Sequence, residues 1–178
     1  KIGVEPGNVF SREVVRALME KHGKVEFIDL EAQIQLQALE QSQVDALLAF
    51  EPATTISESK GIARILLSGA QVEVFGDPVV GGPFLLSKKF AEEKPEQAVK
   101  YMRVIDKAIE YIRLNENESK TYLPKYTGLD PSLAKTVRLP EYWTKKELNA
   151  NIMQEQADFF KGKNVISNSI NVTEWIAK

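Results

Sequence analysis

Two short stretches of this 178-residue chain carry residue types that could bind a small ligand. Gly7 and Asn8 precede a predicted helix, and the free N–H groups of a first helical turn form a natural site for an anion. Glu51 follows an apolar stretch, and a carboxylate there could accept a hydrogen bond from an amine, a hydroxyl or a ring N–H. Both residues also have a structural interpretation: Asn8 could cap its helix, and Glu51 could cap the helix after Pro52 or lie in solvent. For Asn8 alone the cap is favoured over a ligand contact. For Glu51 a ligand contact and a structural role are equally favoured.

The remaining residue types exclude several other kinds of site. The chain has no cysteine, which excludes disulfides, thiolate catalysis and cysteine metal sites, and its one histidine, His22, ends a predicted helix. We therefore expect no histidine-rich metal site and no serine triad, and the missing glycine-rich nucleotide motifs give no support for a nucleotide cofactor. A formal net charge of -2 gives no general attraction to nucleic acid or to an anionic membrane. We predict neither a metal nor a cofactor.

Strands and helices alternate at the start of the chain and position both candidate groups. We predict strands at residues 1–5, 25–30 and 44–50, and helices at residues 9–22, 31–42 and 54–59. This alternation indicates right-handed βαβ units and a parallel sheet, which binds ligands beyond the carboxyl ends of its strands. The third strand is almost continuously apolar, which predicts a central position in the sheet. Its last residue, Phe50, could stack on a ligand or belong to the core.

The pattern changes from mixed to helical between residues 76 and 89, where glycine and proline mark turns. Further strands are predicted at residues 63–67, 71–75 and 84–87. Apolar residues at helical spacing predict helices at residues 95–115, 117–125, 132–138 and 145–160, with a last turn at residues 170–176. Thr144 and Glu147 have the spacing of a capping box at the start of the last long helix.

The order of these segments resembles the solute-binding proteins of ABC importers. KIGVEPGN, VEFIDL and VDALLAFEP are followed by LLSKKFAEEKPE, a long helix, KYTGLDP and QADFF. The most similar branch is the NMT1/THI5-like group, which takes nitrate, sulfonates, taurine and thiamine precursors. The resemblance implies an α/β chain with the type II periplasmic-binding-protein fold. Residues 1–80 would form the second lobe, residues 81–89 the crossover and hinge, and residues 90–178 the C-terminal helical part of a first lobe whose N-terminal part is missing.

The resemblance also implies a function. The chain would be the substrate-binding component of an ABC importer, capturing a small organic solute in an interlobe cleft that closes about the hinge. The solute would be sulfonate-, taurine- or nitrate-like, or thiamine-pyrimidine-like. The chain would not be an enzyme, and its partners would be this ligand and a membrane permease rather than nucleic acid. It would lie in the periplasm or outside the cell, with a lipid anchor on the missing N-terminus as one option.

Carried over position by position, the family's ligand contacts fall on the two stretches identified first. They are Gly7, Asn8, Val9, Phe10, Ser11, Phe50 and Glu51. A carboxylate at position 51 disfavours a purely anionic ligand, because two negative groups would meet in a desolvated cleft. A neutral or amine-bearing ligand is therefore favoured.

Two other functions share the fold that the resemblance implies. An enzyme of the thiamine-pyrimidine synthesis type would need cysteine and histidine chemistry that this chain lacks. An effector-sensing domain of a transcription regulator would accompany a helix-turn-helix, for which these residues give no pattern.

Overall fold

The computed structural model describes residues 1–176, which divide into two compact units. Unit 1 comprises Lys1–Val79 together with the segment Thr136–Leu139. Unit 2 comprises Val80–Lys135 and the described residues from Pro140 onward. Within residues 1–176, no helix combines the length and the apolar character that a bilayer crossing requires.

Unit 1 is built on three parallel strands in the order β2-β1-β3. The strands are β1 (Ile2–Val4), β2 (Phe27–Asp29) and β3 (Ala46–Leu47). Its helices are α1 (Val9–Met19), α2 (Ala32–Glu40), α3 (Ala53–Ser59) and α4 (Val72–Phe75). In register, Ile2 of β1 lies opposite Phe27 on one side and Ala46 on the other. The predicted parallel sheet and its alternation with helices are thus confirmed.

Small aliphatic side chains form the core of unit 1. Val4, Val14 and Val44 are fully buried, and they come from β1, α1 and the start of the third strand segment. Gly3 of β1 lies where a Cβ atom would come within 2.5 Å of Leu47 Cδ2. Glycine at this position therefore lets the side chain of the neighbouring strand pack directly against the β1 backbone.

Three predictions for unit 1 are wrong. β3 is short and lies at an edge of the three-stranded sheet, while β1 takes the central position. Residues 63–67 have no regular structure, and residues 71–75 form a helical turn instead of a strand. Phe75, at the end of this helical turn, stacks on Phe10 with ring centroids 5.6 Å apart. Packing against α1 thus overrides the local strand propensity.

Unit 2 contains helices and turns in its described residues. The helices are α5 (Lys88–Glu93), α6 (Pro95–Leu114), α7 (Glu116–Lys120), α8 (Leu123–Thr127) and α9 (Ala150–Gly162), followed by a 3-10 turn (Val172–Glu174). The long helix predicted at residues 95–115 is confirmed. It begins with a proline, and Ala98 and Ile109 are buried.

Several details of unit 2 differ from the sequence predictions. Two short helices, α7 and α8, replace the single helix predicted at residues 117–125. Residues 84–87 have no strand pairing, so the predicted strand there is wrong. Residues 131–136 form turns rather than a helix. Asp130 starts these turns, because its Oδ1 accepts hydrogen bonds from the Ser132 N–H at 2.8 Å and from the Ser132 hydroxyl at 2.7 Å.

Two glutamines of α9 bind the backbone of irregular segments. Gln156 is 8% exposed, and it accepts from the Val80 N–H and donates to the Val80 carbonyl, each at 3.0 Å. Gln154 accepts from the Val172 N–H at 3.1 Å and donates to the Ile170 carbonyl at 2.9 Å. Each amide side chain thus supplies a donor and an acceptor, as the edge of a strand would.

An ion pair fixes the turn before α9. Nη1 and Nη2 of Arg113 lie 2.8 and 2.9 Å from the carboxylate oxygens of Glu147. The predicted contact between Thr144 and Glu147 is present, but the residues between them form a turn and α9 begins only at Ala150. The hydrogen bonds from Arg113 and Thr144 lower the pKa of Glu147 to about 2.

Candidate functional site

The seven predicted ligand contacts all come after the carboxyl ends of β1 and β3 in the unit 1 sheet. Because β1 and β3 are parallel neighbours, their carboxyl ends lie on the same side. The turn at residues 5–8 follows β1, and Phe50 and Glu51 follow β3. This is the edge at which parallel sheets with helical connections bind ligands.

Gly7 and Asn8 form the turn into α1. Gly7 has a φ of +71°, in the left-handed region that side chains disfavour. Asn8 Oδ1 accepts a hydrogen bond from the Ser11 N–H at 3.0 Å, so the interpretation of Asn8 as a helix cap is confirmed. The side-chain Nδ2 of Asn8 donates a hydrogen bond to Glu5 Oε2 at 3.4 Å.

The turn before α1 satisfies most of its own backbone donors. The Asn8 N–H bonds to the Glu5 carbonyl at 3.1 Å, and the Val9 N–H bonds to the Gly7 carbonyl at 2.9 Å. With the Ser11 N–H bound by Asn8, these three amides already have acceptors. The expectation of free amides for an anion is therefore wrong for these donors, and an anion there would have to replace existing hydrogen bonds.

The next three residues differ widely in their access to solvent. Val9 is exposed, and Phe10 is half-buried and stacked on Phe75 with an angle of 17° between the rings. Ser11 is only 1% exposed, and its hydroxyl has no hydrogen-bond partner within residues 1–176. Of these three residues, Val9 offers the most open surface.

Phe50 and Glu51 differ from each other in the same way. Phe50 is 51% exposed, so the interpretation of this residue as core is wrong. The Glu51 side chain is 20% exposed, and its Oε2 accepts a hydrogen bond from the Thr55 N–H at 3.2 Å in the first turn of α3. The capping interpretation of Glu51 is therefore confirmed for one of its two oxygens.

Arg138 lies beside Glu51, and no sequence pattern pointed to it. It lies in the segment Thr136–Leu139 that forms part of unit 1. Its Nη2 is 3.1 Å from Glu58 Oε2, and its Nη1 is 3.6 Å from Glu51 Oε1. The sequence predicted it only as the last residue of a helix at residues 132–138. Only the tertiary structure brings it beside two carboxylates of a distant segment.

The edge of the sheet therefore carries both signs of charge. At the end of β2, Asp29 pairs with Arg12 of α1, and the Arg12 guanidinium lies 5.1 Å from the centre of the Phe27 ring. At the end of β3, Glu51 has Arg138 as its counter-ion. In the part of the chain that the structure describes, no cluster of three or more His, Cys, Asp or Glu residues could hold a metal ion. The carboxyl ends of β2 and β3 are thus followed by charged side chains that are paired with arginines.

Comparisons with known proteins identify the family of the chain. The chain is 26% identical over 153 residues to a Bacillus subtilis (strain 168) protein named "Putative aliphatic sulfonates-binding protein". The match covers 84% of this chain and 45% of that relative, so the chain spans less than half of its length. No solved structure matches the chain significantly. Residues 1–119 match the family described as NMT1/THI5 like, which is two thirds of the chain. The family expected from the order of the motifs is confirmed: this chain belongs to the NMT1/THI5-like family.

Proposed function

We propose that this chain is the solute-binding component of an ABC importer and that it binds a small organic solute at the carboxyl edge of the unit 1 sheet. Membership of the NMT1/THI5-like family and the sulfonates-binding relative support this function. The observation that carries the position of the site is the parallel pairing of β1 with β3. That pairing puts the turn before α1 and the Phe50–Glu51 pair at one edge.

The fold proposed for the chain is the type II periplasmic-binding-protein fold. Residues 1–80 correspond to lobe two, residues 81–89 to the crossover between lobes, and residues 90–178 to the C-terminal helical part of lobe one. The mixed α/β composition and the strand order β2-β1-β3 support this assignment. The irregular backbone from Val80 to Ser87 is compatible with a crossover segment.

The ligand contacts that we propose differ in chemistry. Val9 and Phe50 are exposed apolar groups that would cover the carbon skeleton of a solute. Glu51 and the Asn8 amide would bind its polar groups, and Gly7 would let the backbone approach it. Phe10, stacked on Phe75, would back the turn, whereas the enclosed Ser11 hydroxyl would reach a ligand only after a local rearrangement.

Binding rather than catalysis is the function that we propose. The relative is named as a binding protein, and the chain carries no cysteine and one histidine. His22 is exposed and lies after the C-terminal end of α1, whereas the candidate site lies at the N-terminal end of that helix. We further propose that the protein acts in the periplasm or outside the cell and delivers its solute to a membrane permease.

A thermal-shift screen of the full chain tests this function. The panel contains taurine, alkanesulfonates, nitrate, bicarbonate, thiamine precursors and riboflavin. A solute present at a hundredfold excess over its Kd should raise the free energy of unfolding by about 2.7 kcal/mol. For a chain of this size we expect the midpoint to rise by roughly 5–10 °C. Turnover of a solute without any such shift would favour an enzyme instead.

The position of the site is tested with the solute that gives the largest shift. Glu51→Ala should weaken its binding at least tenfold and leave the far-UV circular dichroism spectrum unchanged. Glu40→Ala is the matched control, because Glu40 is an exposed carboxylate of the same unit at the end of α2. Equal affinities of the two variants would remove Glu51 from the site.

A further inference from the structure

We propose that Glu51 and Arg138 act together as a selector for zwitterionic ligands, an inference that rests on the proposed function. The Glu51 carboxylate would bind the ammonium group of the ligand, and the Arg138 guanidinium would bind its acid group. Arg138 is thereby assigned a role in specificity.

The distance between the two residues is the first observation that supports this role. Glu51 Oε1 and Arg138 Nη1 are 3.6 Å apart, which is within the range of an ion pair but too long for a hydrogen bond. Within residues 1–176, neither of these two atoms has another hydrogen-bond partner. The pair therefore keeps an acceptor and a donor that a ligand could use.

The other ends of both groups are held in place. Glu51 Oε2 accepts from the Thr55 N–H at 3.2 Å, and Arg138 Nη2 donates to Glu58 Oε2 at 3.1 Å. Glu58 is itself held through its second oxygen, which accepts from the Ile65 N–H at 3.4 Å. Each charged group thus has one oxygen or nitrogen bound by the protein and another that is open. The protein therefore fixes the orientation of both groups before a ligand binds.

The charges around the open atoms favour a ligand with no net charge. An anion bound at Arg138 would be repelled by the nearby carboxylates of Glu51 and Glu58, and a cation bound at Glu51 would be repelled by Arg138. A zwitterion satisfies the open donor and the open acceptor together and adds no net charge to the site. Because the two open atoms are only 3.6 Å apart, the ammonium and acid groups of the ligand must be joined by a short spacer.

Solvent can reach both sides of the pair. The Arg138 side chain is 57% exposed and the Glu51 side chain is 20% exposed. A ligand could therefore approach the guanidinium without unfolding any helix. The partial burial of Glu51 limits the water that would otherwise weaken its interaction with an ammonium group.

Three probes with the same carbon skeleton test the selector by isothermal titration calorimetry on the full chain. They are 2-aminoethanesulfonate (the taurine of the panel above), which is zwitterionic, ethanesulfonate, which is anionic, and ethylammonium, which is cationic. We expect the zwitterion to bind at least tenfold more tightly than either of the others. Arg138→Gln should weaken binding of the zwitterion at least tenfold and leave ethylammonium unweakened.

Two further variants separate selection from folding. Arg64→Gln removes an exposed arginine from the same unit and should leave all three affinities unchanged. Arg138→Lys keeps the charge but loses the planar fork, so its affinity for the zwitterion should lie between those of the wild type and Arg138→Gln. The thermal midpoint of each variant, measured without ligand, shows whether any loss of affinity comes from unfolding.

The outcomes distinguish this inference from the proposed function. Equal binding of ethanesulfonate and 2-aminoethanesulfonate, or an unchanged preference in a folded Arg138→Gln, would overturn the selector and leave solute binding intact. So would failure of all three probes to bind when another solute of the panel raises the thermal midpoint. If no solute raises the midpoint, the proposed function fails and the selector fails with it.

Discussion

In unit 1 the backbone pairs with itself across three parallel strands, whereas in unit 2 side chains bond to the backbone of segments that have no strand pairing. The same contrast appears in two arginine–glutamate pairs. In unit 2, Nη1 and Nη2 of Arg113 lie within 2.9 Å of the Glu147 carboxylate oxygens. In unit 1, Arg138 and Glu51 are 3.6 Å apart at their closest charged atoms. The first pair is joined by two hydrogen bonds, whereas the charged atoms of the second pair are too far apart for one.

The contrast indicates which polar side chains a ligand could bind without disturbing the fold. The strands of unit 1 are paired through their backbones, so the polar side chains that follow them do not replace strand pairing. In unit 2 the polar side chains are themselves the ties, as Gln156 is for Val80. A ligand that competed for Gln156 would loosen the fold, whereas a ligand that competed for Glu51 would exchange one ion pair for another.

The largest effect on stability is expected at Gly3, where unit 1 depends on backbone packing. Gly3→Val would drive a side chain into Leu47 and Leu30, since even a Cβ atom would lie 2.5 and 2.8 Å from their methyl groups. We expect the free energy of unfolding to fall by about 3 kcal/mol, measured by urea denaturation. Gly82→Ala is the control, because nothing lies within 4 Å of a Cβ atom at that position. Similar losses in both variants would contradict the dependence of unit 1 on this close packing.

The next largest effect is expected where a side chain replaces strand pairing. Gln156→Ala would leave both the N–H and the carbonyl of Val80 without their side-chain partner. We expect a loss of about 2 kcal/mol in the free energy of unfolding. Gln97→Ala, which changes an exposed residue of α6, should change it by less than about 0.5 kcal/mol. If Gln156→Ala is as mild as the control, unit 2 does not depend on this tie.

A smaller effect is expected at the turn that carries the candidate site. Asn8→Ala would remove the cap of α1 and should cost about 1 kcal/mol in a urea titration. Asn8→Ser should keep most of that stability, because serine is also a good cap. A loss of ligand affinity in Asn8→Ser without a loss of stability would show that the amide group contacts the ligand. Equal stability of the alanine and serine variants would contradict the capping role.

The smallest effect is expected from the pH dependence of the Glu147 pair. In the folded protein the pKa of Glu147 is lowered from 4.5 to about 2, chiefly by the Arg113 hydrogen bonds and then by Thr144. A lowered folded pKa contributes stability above pH 4.5 that is lost as the pH falls towards 2. Glu147→Gln should therefore flatten this part of the curve of urea midpoint against pH. A curve as steep as that of the wild type would show that the pair does not respond to protonation of Glu147.

The parts of the fold that could be predicted are those in which one apolar periodicity dominates. The first three strands and the helix at residues 95–115 have this character, and they are present with shifted ends. The stretch at residues 71–75 was predicted wrongly, because its two alternating valines have the period of a strand. The stacking of Phe75 on Phe10, a tertiary contact, favours the turn.

The candidate site was predicted only in part for a similar reason. Capping by Asn8 and Glu51 follows from local chemistry, and both caps were among the interpretations open from the sequence. Arg138 could not be found in this way, since its partners Glu51 and Glu58 lie far from it along the chain. A residue of this kind can be identified only from the tertiary structure, in which its segment lies beside Glu51 and Glu58.

Hydrogen–deuterium exchange of the full chain, with and without the solute that gives the largest thermal shift, tests the central claim most directly. If the ligand binds at the carboxyl edge of the unit 1 sheet, peptides that cover residues 5–11 and 50–58 should exchange more slowly when the solute is present. Peptides from α9 should change little. Protection confined to α6 and α9, with residues 5–11 and 50–58 unaffected, would contradict the account.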